Sequence, residues 1–118
     1  MTASKYPCPA CGFTTFCEEG AGSYDICTVF GWEDDGVQYR YPDLTGGANR
    51  ESLLEAQTAA LLNWPLIERT FAGQIRDLAW KPLVPADLET SETDFGWSVP
   101  TKRHRQDDGA TYYWRGRC

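Results

Sequence analysis

The sequence Cys8-Pro9-Ala10-Cys11-Gly12 and its incomplete repeat Cys27-Thr28-Val29-Phe30-Gly31 decide the fold of this chain. We call them the first and second cysteine turns. Their spacing is that of a two-turn zinc ribbon, in which four ligands converge from two loops. The second turn departs from that pattern, because Phe30 stands where the fourth cysteine is expected. Gly12 and Gly31 end the turns, at positions where glycine readily adopts a positive φ. We therefore expect the second turn to keep its shape without its last thiol.

Short strands are expected around the two cysteine turns. Residues 13–17 alternate and are rich in aromatic and β-branched side chains, and residues 24–26 would return the chain to the second turn. Together these segments predict a hairpin that presents the two turns side by side. The alternating residues 37–41, closed by Pro42, predict a further strand.

Two helices are predicted in the middle of the chain. Asn49 is a candidate N-cap for a helix over residues 50–63. Helical spacing directs its leucines at positions 53, 54 and 61 to the core. A second helix is predicted over residues 66–79, where apolar residues also recur at helical spacing. The residues of this second stripe are Ile67, Phe71, Ile75 and Leu78.

The C-terminal part of the chain predicts a hairpin. Residues 95–99 and 110–114 are β-prone and flank the polar segment 101–109, which contains an Asp-Gly turn signal. The expected fold class is therefore α+β: a small zinc-ribbon-like hairpin and knuckle unit packed on two helices, with a C-terminal β-hairpin extension. We expect one domain over residues 1–88, with residues 89–118 packed on it as the extension.

The composition limits the compartment and the partners. No apolar stretch is long enough to span a membrane and none resembles a signal peptide. We therefore expect a cytoplasmic protein that binds no membrane and keeps its five cysteines reduced. The net charge is -6, and residues 1–60 hold nine acidic residues against three basic ones. Because an acidic body repels phosphate backbones, a basic protein is a better partner for this chain than nucleic acid.

The chain resembles the cysteine-rich CPCC family of small bacterial proteins over about residues 5–88. The first cysteine turn carries this resemblance together with four further segments. These are Gly22-Ser23-Tyr24-Asp25-Ile26-Cys27, Gly31-Trp32-Glu33-Asp34-Asp35-Gly36-Val37-Gln38, Gly46-Gly47-Ala48-Asn49 and Trp80-Lys81-Pro82-Leu83. The resemblance implies a domain that binds zinc through cysteine pairs. Ala10 replaces the middle cysteine of the family motif, and Phe30 replaces one of the implied ligands.

Three thiols are the candidate metal ligands, since thiolates bind Zn²⁺ in a tetrahedron. They belong to Cys8, Cys11 and Cys27. Two interpretations stay open. In the first, Cys17 on the adjoining strand, His104 or water supplies the fourth ligand of a zinc ion. In the second, no metal is bound, Phe30 fills the fourth position and the thiols are small buried side chains. Both interpretations give the turns a structural role. Zinc is the only cofactor that the sequence predicts, and it is bound in the first interpretation alone.

No catalytic residues are predicted. A redox role for Cys8 and Cys11 is disfavoured, because the residues that follow predict a strand and not the helix N-terminus that lowers a thiol pKa. Glu33, Asp34 and Asp35 beside a turn glycine are typical of a solvated loop rather than of paired catalytic carboxylates. The sequence also lacks a nucleophile–base pair, a phosphate-binding loop and a deaminase signature.

These features predict a non-catalytic protein-binding module. The concrete hypothesis is an immunity protein (antitoxin) that binds and blocks a bacterial toxin acting in the cytoplasm. A basic toxin domain would complement the acidic chain. The expected contact residues are Trp32, Glu33, Asp34, Asp35, Tyr112 and Trp114. The alternative is a zinc-ribbon-type nucleic-acid-binding protein, which the basic and aromatic residues between Lys102 and Arg117 would favour.

Overall fold

Two helices and three two-stranded antiparallel sheets make up the described part of the computed structural model, which comprises residues 6–17, 22–90 and 102–104. The elements are β1 (Tyr6–Pro7), β2 (Thr14–Phe16), α1 (Gly36–Arg40), α2 (Leu53–Asn63), β3 (Thr70–Phe71), β4 (Gln74–Ile75), a 3₁₀ turn (Pro85–Asp87), β5 (Leu88–Thr90) and β6 (Lys102–His104). The pairs are β1–β2, β3–β4 and β5–β6. This arrangement agrees with the predicted α+β class.

The predicted hairpin between residues 13–17 and 24–26 is wrong. Strand β2 pairs with β1, on the other side of the first cysteine turn. Residues 24–26 instead run antiparallel to residues 33–34, with a β-bridge between Ile26 and Glu33. Each cysteine turn therefore closes its own small hairpin. A tight turn brings its own flanking residues together, so local pairing costs less loop entropy than pairing the flanks of two different turns.

The predicted strand over residues 37–41 is wrong, because Gly36–Arg40 forms helix α1. The carboxylate of Asp35 caps this helix: its Oδ1 accepts hydrogen bonds from the backbone N–H groups of Val37 (2.8 Å) and Gln38 (3.2 Å). Such a cap satisfies donors that a helix start leaves without partners. The alternation of side chains in this segment mimicked a strand, but the preceding aspartate determines the local structure.

The prediction of a helix over residues 50–63 is confirmed, with a shorter N-terminus. Helix α2 begins at Leu53, and Ser52 rather than Asn49 is its N-cap. Ser52 and Glu55 form a capping box, in which each side chain bonds to the backbone N–H of the other residue. The expected core side chains are also confirmed: Leu53 is fully buried, and the leucines at positions 54 and 61 are partly buried against the core.

The predicted helix over residues 66–79 is wrong. Strands β3 and β4 form a tight hairpin there, with Thr70 opposite Ile75 and Phe71 opposite Gln74. The two connecting residues, Ala72 and Gly73, have φ angles of 51° and 81°. Two positive φ angles in a two-residue connection match the twist of a β-hairpin and end any helix. The apolar stripe of the predicted helix is exposed: Ile67 84%, Phe71 44%, Ile75 63% and Leu78 89%.

Strand β6 joins the described C-terminal residues to the rest of the chain. Lys102–His104 pairs with Leu88–Thr90, and the backbone N–H of Lys102 donates to Asp43 Oδ1 at 2.8 Å. The strand was not predicted, because residues 101–109 are polar and indicate a connection between the two predicted hairpin strands. The predicted hairpin strands 95–99 and 110–114 lie outside the described residues. Over the part that is described, no helix has the length and apolar character needed to cross a membrane.

Arg76 is fully buried and holds several distant segments together. Its Nε donates to the carbonyl of Cys11 (2.8 Å), and its terminal nitrogens donate to the carbonyls of Trp64 (2.8 Å), Pro65 (2.8 Å) and Glu68 (3.1 Å). The guanidinium also lies 4.6 Å from the ring centre of Phe13. Arginine suits this role, because its planar guanidinium offers five donors and stacks on aromatic rings.

Replacing Arg76 by Met should lower the free energy of unfolding by at least about 3 kcal/mol, because four backbone carbonyls lose a buried charged donor. Urea denaturation followed by tryptophan fluorescence measures the change. Arg76→Lys should lose most of the same stability, since one ammonium group cannot serve four separated carbonyls. The exposed Arg50→Ala is the control and should stay within about 0.5 kcal/mol of the wild type. A loss below about 1 kcal/mol for Arg76→Met would contradict this role.

Candidate metal centre

Three cysteine side chains converge between the two turns. The sulfur atoms of Cys8, Cys11 and Cys27 all lie within 4.8 Å of one another. The sulfurs of Cys11 and Cys27 are 3.6 Å apart. All three side chains are buried, and none forms a disulfide. The structure therefore brings together three of the four predicted metal ligands.

The two cysteine turns share one backbone hydrogen-bond pattern. In the first turn the N–H of Cys8 donates to Phe13 O (2.9 Å) and the N–H of Gly12 donates to Cys8 O (2.7 Å). In the second, the N–H of Cys27 donates to Trp32 O (2.8 Å) and the N–H of Gly31 to Cys27 O (2.9 Å). The two glycines have φ angles of 82° and 96°. The prediction that the second turn keeps its shape without a fourth cysteine is confirmed.

Gly12 is also required by the packing of the first turn. A Cβ atom on Gly12 would lie 2.5 Å from the indole ring of Trp80, closer than real contacts allow. The same indole donates its Nε1–H to Pro9 O at 3.0 Å, and Gln57 Nε2 on helix α2 donates to the same carbonyl at 2.9 Å. Trp80 and α2 therefore hold the first turn against the core. Gly31 has no such neighbour within 4 Å.

Phe30 occupies the position in the second turn that corresponds to Cys11 in the first. Its side chain is half-buried and meets the ring of Trp64 edge-on, with the ring centres 6.2 Å apart. Its backbone N–H donates to the sulfur of Cys27 at 3.3 Å. The residue therefore contributes its backbone to the sulfur cluster and its side chain to the apolar packing beside α2.

Cys17, which was predicted as a fourth metal ligand, lies outside the cluster of three sulfurs. It is exposed, and it is absent from the group of sulfurs that the described residues bring together. Its position explains this, because it follows the end of β2, beyond the buried Phe16. His104, the other candidate, lies on β6, and its side chain is outside what the structure describes.

The three thiols shift one another's pKa values. Burial is the main cause of a raised pKa at Cys8. The hydrogen bond to Cys27 raises the pKa of Cys11, and the same bond, seen from the other side, lowers the pKa of Cys27. The thiol of Cys8 also lowers the pKa of Cys27. The pKa shifts of Cys11 and Cys27 are opposite across their 3.6 Å contact, so the thiolate is favoured at Cys27.

The donor set fits a zinc ion at three of its four positions. A zinc–sulfur distance of about 2.3 Å in a tetrahedron places neighbouring sulfurs about 3.8 Å apart. The 3.6 Å between the sulfurs of Cys11 and Cys27 is close to that separation. Closely spaced buried sulfurs also match the preference of Zn²⁺ for thiolate ligands.

The acidic stretch that was expected to face a partner is folded into the protein. Trp32 is 1% exposed, Asp34 0% and Asp35 8%. Asp34 Oδ2 accepts from the backbone N–H (2.9 Å) and the hydroxyl (2.7 Å) of Ser23, and Asp35 Oδ2 accepts from the backbone N–H of Ala48 (2.9 Å). These three residues are therefore not an exposed contact surface, because Trp32 belongs to the core and the two carboxylates accept hydrogen bonds from within the protein. Glu33 is half-buried. Tyr112 and Trp114 lie outside the described residues.

A family model described as cysteine-rich CPCC matches residues 6–77. The chain belongs to the cysteine-rich CPCC family. The matched range contains both cysteine turns and all three clustered sulfurs, so this CPCC protein carries the three-cysteine cluster within the segment that defines its family. None of the curated proteins compared with the chain is similar enough to count as a match.

Arg76 and Trp80 were not predicted to be neighbours of the CPCC cysteines. Their contacts with the first turn span 65 and 71 residues along the chain. No local signal marks such contacts, because Arg76 lies in a segment whose pattern predicted a helix and Trp80 follows that segment. The one available sign was Gly12, since a glycine with a positive φ also permits another group to approach the backbone closely.

Proposed function

We propose that this CPCC protein is a zinc-binding, non-catalytic module that acts by binding another protein. The observation that supports the metal is the convergence of three buried sulfurs, two of which lie 3.6 Å apart, close to the separation of about 3.8 Å in a tetrahedral zinc site. Cys8, Cys11 and Cys27 would hold the ion. Zinc in such a place supplies a cross-link between two loops and contributes directly to folding.

The burial of the sulfurs favours a structural rather than a catalytic ion. Cys8 and Cys11 have no exposed surface, and Cys27 is 2% exposed. A catalytic zinc needs an open position that substrate can reach. Trp80 and Gln57 also cover the first turn through Pro9, and both are buried. The ion would therefore hold the two turns together from within the core.

The purified protein should contain one zinc ion per chain, measured by elemental analysis after extensive dialysis. Cys27→Ser should abolish the stoichiometric zinc, because it removes the sulfur that links the second turn to the first. Cys17→Ser is the matched control, since this cysteine is exposed and outside the cluster, and it should retain one equivalent. Wild-type protein that is folded but carries no zinc, even after incubation with zinc under reducing conditions, would refute the metal-binding part of the proposal.

The proposed partner is a basic bacterial toxin that acts in the cytoplasm, which makes this protein an immunity protein. The net charge of -6 supports a basic partner, because complementary charge accelerates encounter. The proposed contact surface is the exposed apolar surface of the β3–β4 hairpin and its flanks, which we call the hairpin face. It comprises the exposed residues Ile67, Ile75 and Leu78. Several large apolar side chains exposed in one short segment are typical of a protein interface.

Two substitutions on the hairpin face should weaken the complex with the product of the neighbouring gene by more than tenfold. They are Ile67→Glu and Leu78→Glu, at side chains that are 84% and 89% exposed, so the fold should tolerate both. Each places a charge where an apolar contact is proposed. Binding is measured by calorimetry with the two purified proteins. Val37→Glu, on α1 and 48% exposed, is the control and should bind normally.

Two outcomes would contradict the protein-binding proposal. One is that the wild-type protein binds no product of an adjacent gene. The other is that it binds single-stranded oligonucleotides with an affinity that falls steeply with salt, as phosphate contacts require. If all variants bind the partner equally well, the proposed partner is supported but the hairpin face is excluded as the contact surface.

A further inference from the structure

A cavity of about 270 Å³ lies where helix α2, the 3₁₀ turn and the β5–β6 sheet meet. All but one of its lining residues are apolar; the lining consists of Leu54, Leu83, Val84, Pro85, Leu88 and Lys102. Leu83 and Leu88 are buried and form the floor, whereas the exposed residues Val84, Pro85 and Lys102 form the rim. A concave apolar site with a single polar group is typical of small-molecule binding.

Hydrogen bonds hold the walls of this cavity in place. The backbone N–H of Leu83 donates to Oε1 of the buried Gln57 on α2 at 2.8 Å. The carboxylate of Asp87 accepts the backbone N–H of Val84 at 2.9 Å, which closes the 3₁₀ turn at the rim. Because the walls are already formed, a ligand that enters the cavity orders few further groups, and less of its binding energy is lost.

Lys102 gives the rim a positive charge that no acidic side chain neutralises. Its Nζ donates a hydrogen bond to Thr90 Oγ1 at 3.4 Å, and it forms no ion pair within residues 6–17, 22–90 and 102–104. The carboxylate of Asp43 accepts from the backbone N–H of Lys102 instead. An ammonium group carries three donors, so two remain for an anionic group at the rim.

The pairing of β5 with β6 directs the lysine to the side of the sheet that lines the cavity. Thr90 lies directly opposite Lys102 in the antiparallel pair. Leu88, on the cavity floor, lies two residues before Thr90 on the same strand. Residues that are two apart or directly opposite share one face of a sheet. The ammonium therefore lies on the same face as the apolar floor.

The volume of the cavity sets the size of its ligand. An apolar cavity of about 150 Å³ binds benzene, so at the same density 270 Å³ holds about ten non-hydrogen atoms. A molecule of this size has room for an apolar chain or ring and one charged group.

We propose that this cavity binds a small amphipathic monocarboxylate, such as a medium-chain fatty acid. Its apolar body lies on Leu83 and Leu88, and its carboxylate accepts charge-assisted hydrogen bonds from Lys102. The lining residues belong neither to the sulfur cluster nor to the hairpin face. The site is therefore a further binding function, and its test does not depend on zinc or on a protein partner.

Octanoate matches the expected size and is the probe, and 1-octanol is the uncharged probe with the same chain. Calorimetry with the full chain gives the affinities, and the methyl NMR signals of Leu54, Leu83 and Leu88 report where each probe binds. We expect octanoate to shift these signals, with a dissociation constant on the order of 0.1 mM.

Substitutions of Lys102 test the role of the charge. Lys102→Met keeps the apolar stem, so it should weaken octanoate binding by at least about fivefold and leave 1-octanol binding within about twofold of the wild type. Lys102→Arg keeps the charge and should bind octanoate within about twofold of the wild type.

A matched pair of tryptophan substitutions tests the cavity itself. Val84 lines the cavity and is 45% exposed, whereas Val37 on α1 does not line it and is 48% exposed, so the fold should tolerate a larger side chain at both positions. The indole of Val84→Trp should fill the cavity and weaken both probes by at least about tenfold, because less apolar surface is buried by the ligand. Val37→Trp should bind both probes normally.

Three results would overturn the inference. The first is that octanoate neither binds the wild-type protein nor shifts the cavity methyl signals. The second is that Lys102→Met binds octanoate as tightly as the wild type, since the assigned carboxylate would then gain nothing from the ammonium. The third is that Val84→Trp and Val37→Trp bind octanoate equally well, which would place the bound molecule elsewhere on the protein.

Discussion

The buried guanidinium of Arg76 is the interaction on which the rest of this structure depends. It bonds to the backbone of the first cysteine turn through Cys11 O, and to the end of α2 and the following residues through Trp64 O and Pro65 O. Burial lowers its pKa, and the nearby Cys11 raises it. An arginine stays charged under either influence, so its donors are always available. Arg76 directly follows β4, so the β3–β4 hairpin is held against the same residue that contributes a sulfur to the candidate metal centre.

Buried polar side chains organise the second cysteine turn in a comparable way. Gln38 is fully buried, and its amide nitrogen donates to three backbone carbonyls between Leu44 and Glu51. Asn49 bonds through its side-chain amide to both backbone groups of Glu33. These bonds connect the second turn to α1 and to the start of α2. In a small protein with a limited apolar core, satisfied polar networks of this kind can define one arrangement of loops.

Prediction from the sequence succeeded where the determining contacts are local and agree with the periodic pattern of the segment. The two cysteine turns, their glycines and helix α2 each depend on residues within a few positions, and all were predicted. It failed where a single residue or a distant contact overrides the pattern. Asp35 converted a strand-like segment into α1, and Ala72 with Gly73 converted a helix-like stripe into a hairpin. The convergence of three cysteines was predicted from spacing, whereas the exclusion of Cys17 depended on strand pairing that the sequence does not reveal.

The central claim is that the second cysteine turn retains the geometry of a ligand-bearing turn and lacks only the last sulfur. The most direct measurement is the Co²⁺ absorption spectrum and zinc affinity of Phe30→Cys, set against the wild type. Because the hydrogen bonds of the two turns match, a thiol at position 30 should complete the site. The d–d bands should then change to those of a four-thiolate centre, and zinc should bind at least about tenfold more tightly. An unchanged spectrum and affinity in the folded variant would contradict the equivalence of the two turns.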